Sequence, residues 1–348
     1  MPDRDTLLQL VDTILSPDRH ASSLFKEVNA LADALTNLGQ YVRHPDDDIA
    51  KGETRTEQGL ALSPHAAALC ARDFVRTVQF MRGVYQAVCT QNLRESARPV
   101  NLLYVGCGPY ALLALPLMLR LTPQQVQISL IDIHADSIDS VLRIVGYLGL
   151  QEFVAETAVA DAFMYRIERK WSPDIILLEV MQSSLEKEPQ IALSRSLMKQ
   201  APDALLIPEE VEVSLCLLNP AREFSVQEVD RNDQQTLRDR ISLGTLIRVN
   251  RQSIRSWENI SGMNLPAACV QIPEKIPQGY SPMLMTTIQV YQENVLNTYD
   301  SGLTYPRRLN ADFSAGDTLC FSYVLGEHPK LVVDVRHVVD IEPVNRPQ

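Results

Sequence analysis

The sequence predicts an α/β protein: a Rossmann-like parallel sheet, then a mainly antiparallel β-barrel-like domain, with an extra helical segment at the N-terminus. Three observations support this class. An apolar strand runs into a glycine turn near residue 106, apolar strands that end in acids alternate with helical stretches up to residue 208, and short alternating runs dominate from residue 209. The predicted domains are therefore 1–58 (helical), 59–208 (Rossmann-like, cofactor-binding) and 209–348 (β, for substrate or dimerisation).

The glycine turn is the centre of the predicted cofactor domain. Residues 102–105 form a short apolar strand, and Gly106 and Gly108 then allow a tight turn in which the backbone can approach a ligand. A second apolar strand over 127–131 ends in Asp132, whose carboxylate can accept hydrogen bonds from two ribose hydroxyls. The last glycine of the usual fingerprint is absent, so a strand-to-helix turn without a ligand remains an alternative.

The remaining pattern supplies further elements. Leucine-rich stripes over 5–42 predict helices whose apolar faces are either simply core or serve as a cap or a dimer contact, and residues 44–56 form a polar loop. Ser63 is a predicted N-cap for one helix that runs to Val88. Other predicted helices cover 111–121, 135–148 and a stretch opened by Glu188, and further strands cover 153–160, 174–178 and 205–208. Asp161 and Glu179 end two of these strands, where parallel sheets bind ligands.

Composition excludes several classes of function. The chain has 348 residues, a net charge of −11 and a pI of about 5.1, which disfavours binding to nucleic acid. No apolar run approaches the length of a membrane span, and the N-terminus does not resemble a signal peptide. The six cysteines form no CxxC pair and the six histidines show no ligand spacing, so the sequence predicts no metal site and a reducing, cytoplasmic location.

Three separated motifs resemble those of the protein arginine methyltransferases. Residues 73–80, DFVRTVQF, resemble the helix motif D-x-x-R-T-x-x-Y of that family, and VGCG at 105–108 resembles its cofactor turn. The most specific match is Glu179-Val180-Met181 followed by Glu188, because the family carries two glutamates nine residues apart. The resemblance covers roughly residues 60–215, is fainter over the β domain and is absent over the first 55 residues.

The resemblance implies a cofactor, an acceptor and an oligomer. The cofactor is S-adenosyl-L-methionine, with Arg76 on its carboxylate, Gly106 and Gly108 in the turn, Asp132 at the ribose and Asp161 near the adenine. Glu179 and Glu188 are the implied catalytic pair and also bind substrate, together with Met181 and Asp73. A homodimer is implied too, with the N-terminal helices and residues 222–239 as candidate contacts. For residues 73–80, a surface ion pair beside a packed Phe80 remains the plainer interpretation of the sequence.

The chemistry independently favours two carboxylates. A guanidinium group is planar and presents five donors in a fork that matches carboxylates, so two acids can bind two of its edges. The two carboxylates would neutralise the positive charge of the guanidinium and bias it away from one terminal nitrogen, which makes that nitrogen more nucleophilic. Catalysis then depends mostly on aligning this nitrogen with the methyl carbon and the sulfur of the cofactor. For Glu188 alone, an acid favoured by the dipole at a helix N-terminus is the alternative.

The sequence also departs from the family and leaves alternatives open. The Thr-His-Trp loop is missing, and residues 301–306 (SGLTYP) are the nearest stretch, with Tyr305 as a candidate replacement for the histidine. Pro109 and Tyr110 alter the end of the glycine turn, and residues 182–187 alter the pocket lip. The extra N-terminal helices and the altered lip favour free L-arginine or a small guanidino compound in natural product biosynthesis, whereas the net charge of −11 also suits an arginine-containing peptide. A nicotianamine-synthase-like aminocarboxypropyl transferase and a non-catalytic binding protein are the rival classes, and the methylation pattern and pathway stay open.

Overall fold

The computed structural model describes residues 3–41, 48–94, 97–168, 170–224 and 238–337. Two amphipathic helices begin the chain, as the leucine stripes predicted, and their apolar faces are fully buried. Asp3 caps the first helix by accepting a hydrogen bond from the Thr6 amide at 2.8 Å. The helices are α1 (Arg4–Leu15) and α2 (Phe25–Gly39).

A short hairpin and two helices lead to the sheet. The Ser63 hydroxyl accepts a hydrogen bond from the Ala66 amide at 3.0 Å, which confirms it as an N-cap. The prediction of one continuous helix to Val88 was wrong, because the chain turns at residues 71–73 and a second helix begins at Phe74. The elements are β1 (Thr54–Thr56), β2 (Gly59–Ala61), α3 (Pro64–Cys70) and α4 (Phe74–Arg94). Of the predicted polar loop, residues 44–47 lie outside the described residues.

The first large sheet has five parallel strands in the order β5-β4-β3-β6-β7. The chain starts at the centre, fills one side, and returns to fill the other, so the order reverses beside β3 at the point where such sheets bind ligands. Its strands are β3 (Val100–Val105), β4 (Val126–Asp132), β5 (Val154–Val159), β6 (Ile175–Leu178) and β7 (Leu205–Ile207); its helices are α5 (Leu115–Arg120), α6 (Ala135–Leu148) and α7 (Gln190–Gln200).

The C-terminal half is antiparallel, as the alternating runs predicted. One sheet has the order β12-β11-β8-β9, with β13 paired to β11, and a second has the order β10-β14-β15. A cis peptide bond precedes Pro208, between the two domains. The elements are β8 (Glu210–Leu218), β9 (Arg240–Asn250), α8 (Arg251–Ser256), β10 (Asn264–Gln271), β11 (Ser281–Tyr291), β12 (Asn294–Leu296), β13 (Arg307–Arg308), β14 (Thr318–Val324) and β15 (Lys330–Arg336). The α/β fold class is therefore confirmed. Most of the charged stretch 222–239 lies outside the described residues.

The N-terminal helices pack against the helices of the parallel sheet. α2 contacts α6 and α4, and α1 contacts α4 and α5, so their apolar residues join the core around the parallel sheet. No described residue of α1 or α2 lines the cavity that opens at the carboxyl ends of the parallel strands. The prediction that these helices cap the pocket was therefore wrong; a contact between two copies of the chain stays a prediction.

Cysteine pairing differs from what the sequence spacing predicted. Cys269 and Cys320 lie opposite each other on the paired strands β10 and β14, with their Cα atoms 4.0 Å apart, and form a disulfide. The two residues are 51 positions apart in sequence, so no local motif indicates the bond. Cysteines that are scattered in the sequence can therefore still be paired in the fold.

Within the part of the chain that the structure describes, no helix is both long and apolar enough to cross a membrane.

Candidate functional site

A cavity of about 350 Å³ opens at the carboxyl ends of the parallel strands. The volume is within the range of small-molecule sites, and the position is where the strand order reverses. The parallel sheet, the β1–β2 hairpin and a loop of the β domain all contribute to the wall. The predicted site residues that line it are Arg76, Gly106, Gly108, Asp132, Asp161, Glu179, Met181 and Glu188.

The glycine turn forms one wall of this cavity. Gly106 and Gly108 have φ values of +70° and +61°, a region that favours glycine. A Cβ atom on Gly106 would lie 2.5 Å from Cγ1 of Val180, so any larger residue would require the Val180 side chain to move. The turn is fixed to the neighbouring strand, because the amides of Gly106 and Cys107 donate to the Ile131 carbonyl at 2.8 and 3.2 Å.

Asp132 is held by backbone amides on both sides of the cavity floor. Its Oδ2 accepts a hydrogen bond from the Gly108 amide, and its Oδ1 accepts one from the His134 amide, each at 2.9 Å. The residue is 7% exposed. Asp161 has a similar bond, since its Oδ1 accepts from the Phe163 amide at 2.9 Å. Both carboxylates keep further lone pairs for a ligand.

Arg76 and Glu179 form a buried, bidentate ion pair. Nε of Arg76 donates to Oε1 of Glu179 at 2.9 Å, and Nη2 donates to Oε2. Nη1 donates to the Cys70 carbonyl at 2.8 Å. Burial is the largest influence on Arg76 and opposes its charge, but the charge and hydrogen bond of Glu179, together with Cys70 and Asp73, raise the pKa of the guanidinium, so it stays protonated. The alternative of a surface ion pair for this helix was wrong.

Glu188 is buried without a complete set of partners. It is 5% exposed, and its Oε1 has no hydrogen-bond partner among the described residues. Burial, with the nearby charge of Glu179, raises the pKa of Glu188 to about 8. Helix α7 begins two residues later, at Gln190, so the prediction that Glu188 opens this helix was wrong, and its carboxylate does not cap the helix.

The segment between the acids, residues 179–188, is here called the two-glutamate loop. Three of its non-glycine residues are left-handed, and such residues persist only where their surroundings hold them. The surroundings here are the β domain and the hairpin. The Ser184 amide donates to Thr286 Oγ1 at 2.9 Å, the Tyr323 hydroxyl to the Leu185 carbonyl at 2.6 Å, and the Leu60 amide to the Lys187 carbonyl at 2.8 Å.

Of three further predicted residues, Met181 lines the cavity, whereas Asp73 and Tyr305 do not. Met181 is 3% exposed and lines the cavity beside the acids. Asp73 does not line it; its Oδ2 accepts hydrogen bonds from the Ser301 hydroxyl at 2.7 Å and the Gly302 amide at 2.9 Å. Asp73 thereby ties the start of α4 to the β domain. Tyr305, the candidate replacement for a histidine, is 53% exposed, and its carbonyl accepts from the Ser183 hydroxyl at 2.7 Å.

Sequence reasoning missed two parts of the wall. The β1–β2 hairpin contributes Thr56, Gln58 and Leu60, although its sequence reads as a polar loop. Arg307 also lines the cavity from β13. The sequence feature that could have indicated Arg307 is its position directly after residues 301–306, the stretch nearest to the loop that the resemblance led us to expect.

The fold combines a five-stranded parallel sheet with antiparallel sheets, and a cavity lined by two buried glutamates lies at the carboxyl ends of the parallel strands. No family model matches the sequence, and no curated protein matches it. Among solved structures, the chain is similar to the Trypanosoma brucei PRMT1 enzyme–prozyme heterotetrameric complex with AdoHcy: 12% identity, TM-score 0.49, covering 78% of this chain and 93% of that one. It is also similar to Arabidopsis thaliana protein arginine methyltransferase 10 in an open conformation: 12% identity, TM-score 0.49, covering 76% and 88%. These similarities describe the fold.

Proposed function

We propose that this protein is an S-adenosyl-L-methionine-dependent N-methyltransferase that acts on a guanidinium group. The observation that carries the proposal is the pair of buried acids in one cavity. Glu179 already binds a guanidinium, that of Arg76, through two hydrogen bonds, while Glu188 Oε1 has no partner among the described residues. A buried carboxylate without a partner is costly, and a bound cation would remove that cost.

The cavity residues fit the proposed cofactor. The glycine turn lets the backbone approach a ligand, because Gly106 and Gly108 hold positive φ values that favour glycine. Asp132 has lone pairs left for ribose hydroxyls, Asp161 lies further along the same edge, and Arg76 supplies a cation for an amino-acid carboxylate. When bound, S-adenosyl-L-methionine supplies a methyl group on a positively charged sulfur.

The chain's own residues would bind and orient the acceptor. Glu179 and Glu188 would accept hydrogen bonds from two edges of the guanidinium, which fixes its plane relative to the cofactor. Arg76 holds Glu179 in place from behind, so this carboxylate does not need to reorganise. Their negative charge keeps the positive charge on the bound nitrogens and leaves the lone pair of the remaining nitrogen for reaction.

We place the acceptor among small guanidino compounds, with free L-arginine first. The hairpin supports this choice, because it closes the cavity beside the two-glutamate loop. At Gly59 a Cβ atom would lie 2.7 Å from the Lys187 carbonyl oxygen, so the hairpin and loop are in direct backbone contact. An arginine within a protein would need an open groove at this edge. A role in natural product biosynthesis belongs to the same proposal.

The direct test is methyl transfer measured by mass spectrometry. Purified protein and S-adenosyl-L-methionine are incubated in parallel with L-arginine and with an arginine-rich peptide. A gain of one methyl mass on L-arginine supports the full proposal, and a gain only on the peptide supports the reaction but makes the substrate a protein. No gain on either, with the cofactor bound, would overturn the guanidinium proposal and favour another acceptor or a non-catalytic role.

Two wider expectations belong to the proposal. A homodimer rests on the sequence resemblance, and sedimentation of the full chain would test it. A cytoplasmic location rests on the scattered cysteines, whereas the Cys269–Cys320 bond is more typical of oxidising compartments. Alkylation of the protein in intact cells, followed by mass spectrometry, would show whether these two thiols are free there.

A further inference from the structure

We infer that Arg307 binds the carboxylate of the acceptor and thereby selects a free amino acid. The inference rests on the proposed function, and it names the residue that would distinguish an amino-acid substrate from a peptide or an amine.

The cavity wall carries basic side chains at different depths. Arg76 is buried with Glu179, where the proposed function assigns it to the cofactor, and His134 lies 3.4 Å from the Asp132 carboxylate. Arg307 is the remaining arginine among the described lining residues, and its side chain is 51% exposed, so it stands at the mouth. A guanidino amino acid whose cationic end reached the buried acids would present its other end at this mouth.

The position of Arg307 is fixed by the β domain. It belongs to β13, where it pairs with Leu284 of β11, and its neighbour Arg308 pairs with Met283. Glu186 Oε2 lies 3.5 Å from Nη2 of Arg307, but Glu186 does not line the cavity. Glu186 therefore holds the guanidinium from outside, and the remaining donors of its fork are available to a ligand.

A carboxylate is the group that this side chain recognises best. Arginine offers paired donors to a carboxylate, and charge-assisted hydrogen bonds are stronger than those between neutral groups. Solvent weakens this interaction at a half-exposed site, so we expect a preference of about tenfold for an acceptor with a carboxylate over one without it. A peptide substrate has an amide at the equivalent atom and would gain little from Arg307.

The neighbouring residue provides a matched control. Successive residues of a strand face opposite sides, and Arg308 lines a separate depression with Ser314 and His337 instead of the cavity. Arg307→Gln and Arg308→Gln therefore remove the same charge from the same strand, one inside the site and one outside it.

The experiment compares L-arginine with agmatine, which lacks the carboxylate. KM and kcat are measured for the wild type, Arg307→Gln, Arg307→Lys and Arg308→Gln, and S-adenosylhomocysteine binding checks that each variant is folded. We expect the wild type to show a KM about tenfold lower for L-arginine. Arg307→Gln should raise that KM to the value for agmatine with kcat little changed, Arg307→Lys should restore part of the preference, and Arg308→Gln should match the wild type.

Other outcomes separate the two proposals. If Arg307→Gln leaves the preference intact, or raises KM equally for both compounds, Arg307 does not read the carboxylate although the enzyme methylates guanidines. Methylation of the peptide alone would overturn the inference and leave the guanidinium reaction standing. If the wild type methylates no guanidine at all, both proposals fail.

Discussion

Asp132 and the two-glutamate loop both place carboxylates in the cavity, but these carboxylates differ in how many hydrogen-bond partners they have. Both oxygens of Asp132 accept backbone amides of the chain's own turn. Glu188 is as deeply buried, yet one of its oxygens has no partner among the described residues. Asp132 thus organises the backbone and needs no ligand to be stable, whereas Glu188 is satisfied only when a donor arrives. The difference separates a supporting acid from a binding acid.

Glu188→Gln should give the largest effect. The amide keeps the shape but removes the charge that would bind the acceptor, so we expect kcat/KM to fall about 100-fold or more. S-adenosylhomocysteine affinity, measured by calorimetry, should stay within about twofold. A parallel loss of cofactor affinity would show that Glu188 supports the cofactor pocket instead.

Glu179→Gln should act on stability as well as activity. It leaves the buried Arg76 without its counter-charge, so the free energy of unfolding in urea should fall by about 3 kcal/mol. The exposed pair Arg72–Asp33, joined at 2.6 Å, is the control, and Asp33→Asn should cost less than about 1 kcal/mol.

Arg76→Ala should in addition weaken S-adenosylhomocysteine binding. An unchanged affinity would mean that Arg76 only supports Glu179.

The pH dependence of stability should carry the signature of Glu188. Its pKa is raised from 4.5 to about 8, so between these values the folded state binds a proton that the unfolded state has lost. The free energy of unfolding therefore falls as pH rises from about 4.5 to about 8. In urea unfolding at pH 5 to 9, the free energy of unfolding of Glu188→Gln should rise relative to that of the wild type as the pH increases to about 8. Glu152→Gln, at an exposed position, should track the wild type; equal slopes for both variants would count against a buried, unpartnered Glu188.

Asp132→Asn should have the smallest effect on folding. The amide nitrogen cannot accept a hydrogen bond, so one of the two backbone amides loses its acceptor at a cost of about 1–2 kcal/mol. S-adenosylhomocysteine affinity should fall about tenfold, since a ribose contact is lost too. Asp139→Asn, exposed on α6, serves as the control in both measurements. A larger loss of stability than for Glu179→Gln would reverse the comparison.

Local patterns predicted the elements well and their contacts poorly. The glycine turn, the apolar strands and the alternating β domain each follow from short-range periodicity, and all are present. The break at residues 71–73 was missed, because the apolar residues continue through it and the turn is fixed by contact with the β domain through Asp73. The hairpin was missed for a similar reason, since its strands pair over only a few residues and rest on the two-glutamate loop.

The sequence by itself determined the sheet, the glycine turn and the spacing of Glu179 and Glu188, because periodicity and turn chemistry act over a few residues. Only the tertiary structure decided which acid has a partner. Arg76 reaches Glu179 across 103 positions of the chain, and no comparable cation reaches Glu188 among the described residues. Such pairings depend on how distant elements pack, and packing is what gives two acids nine residues apart their different roles.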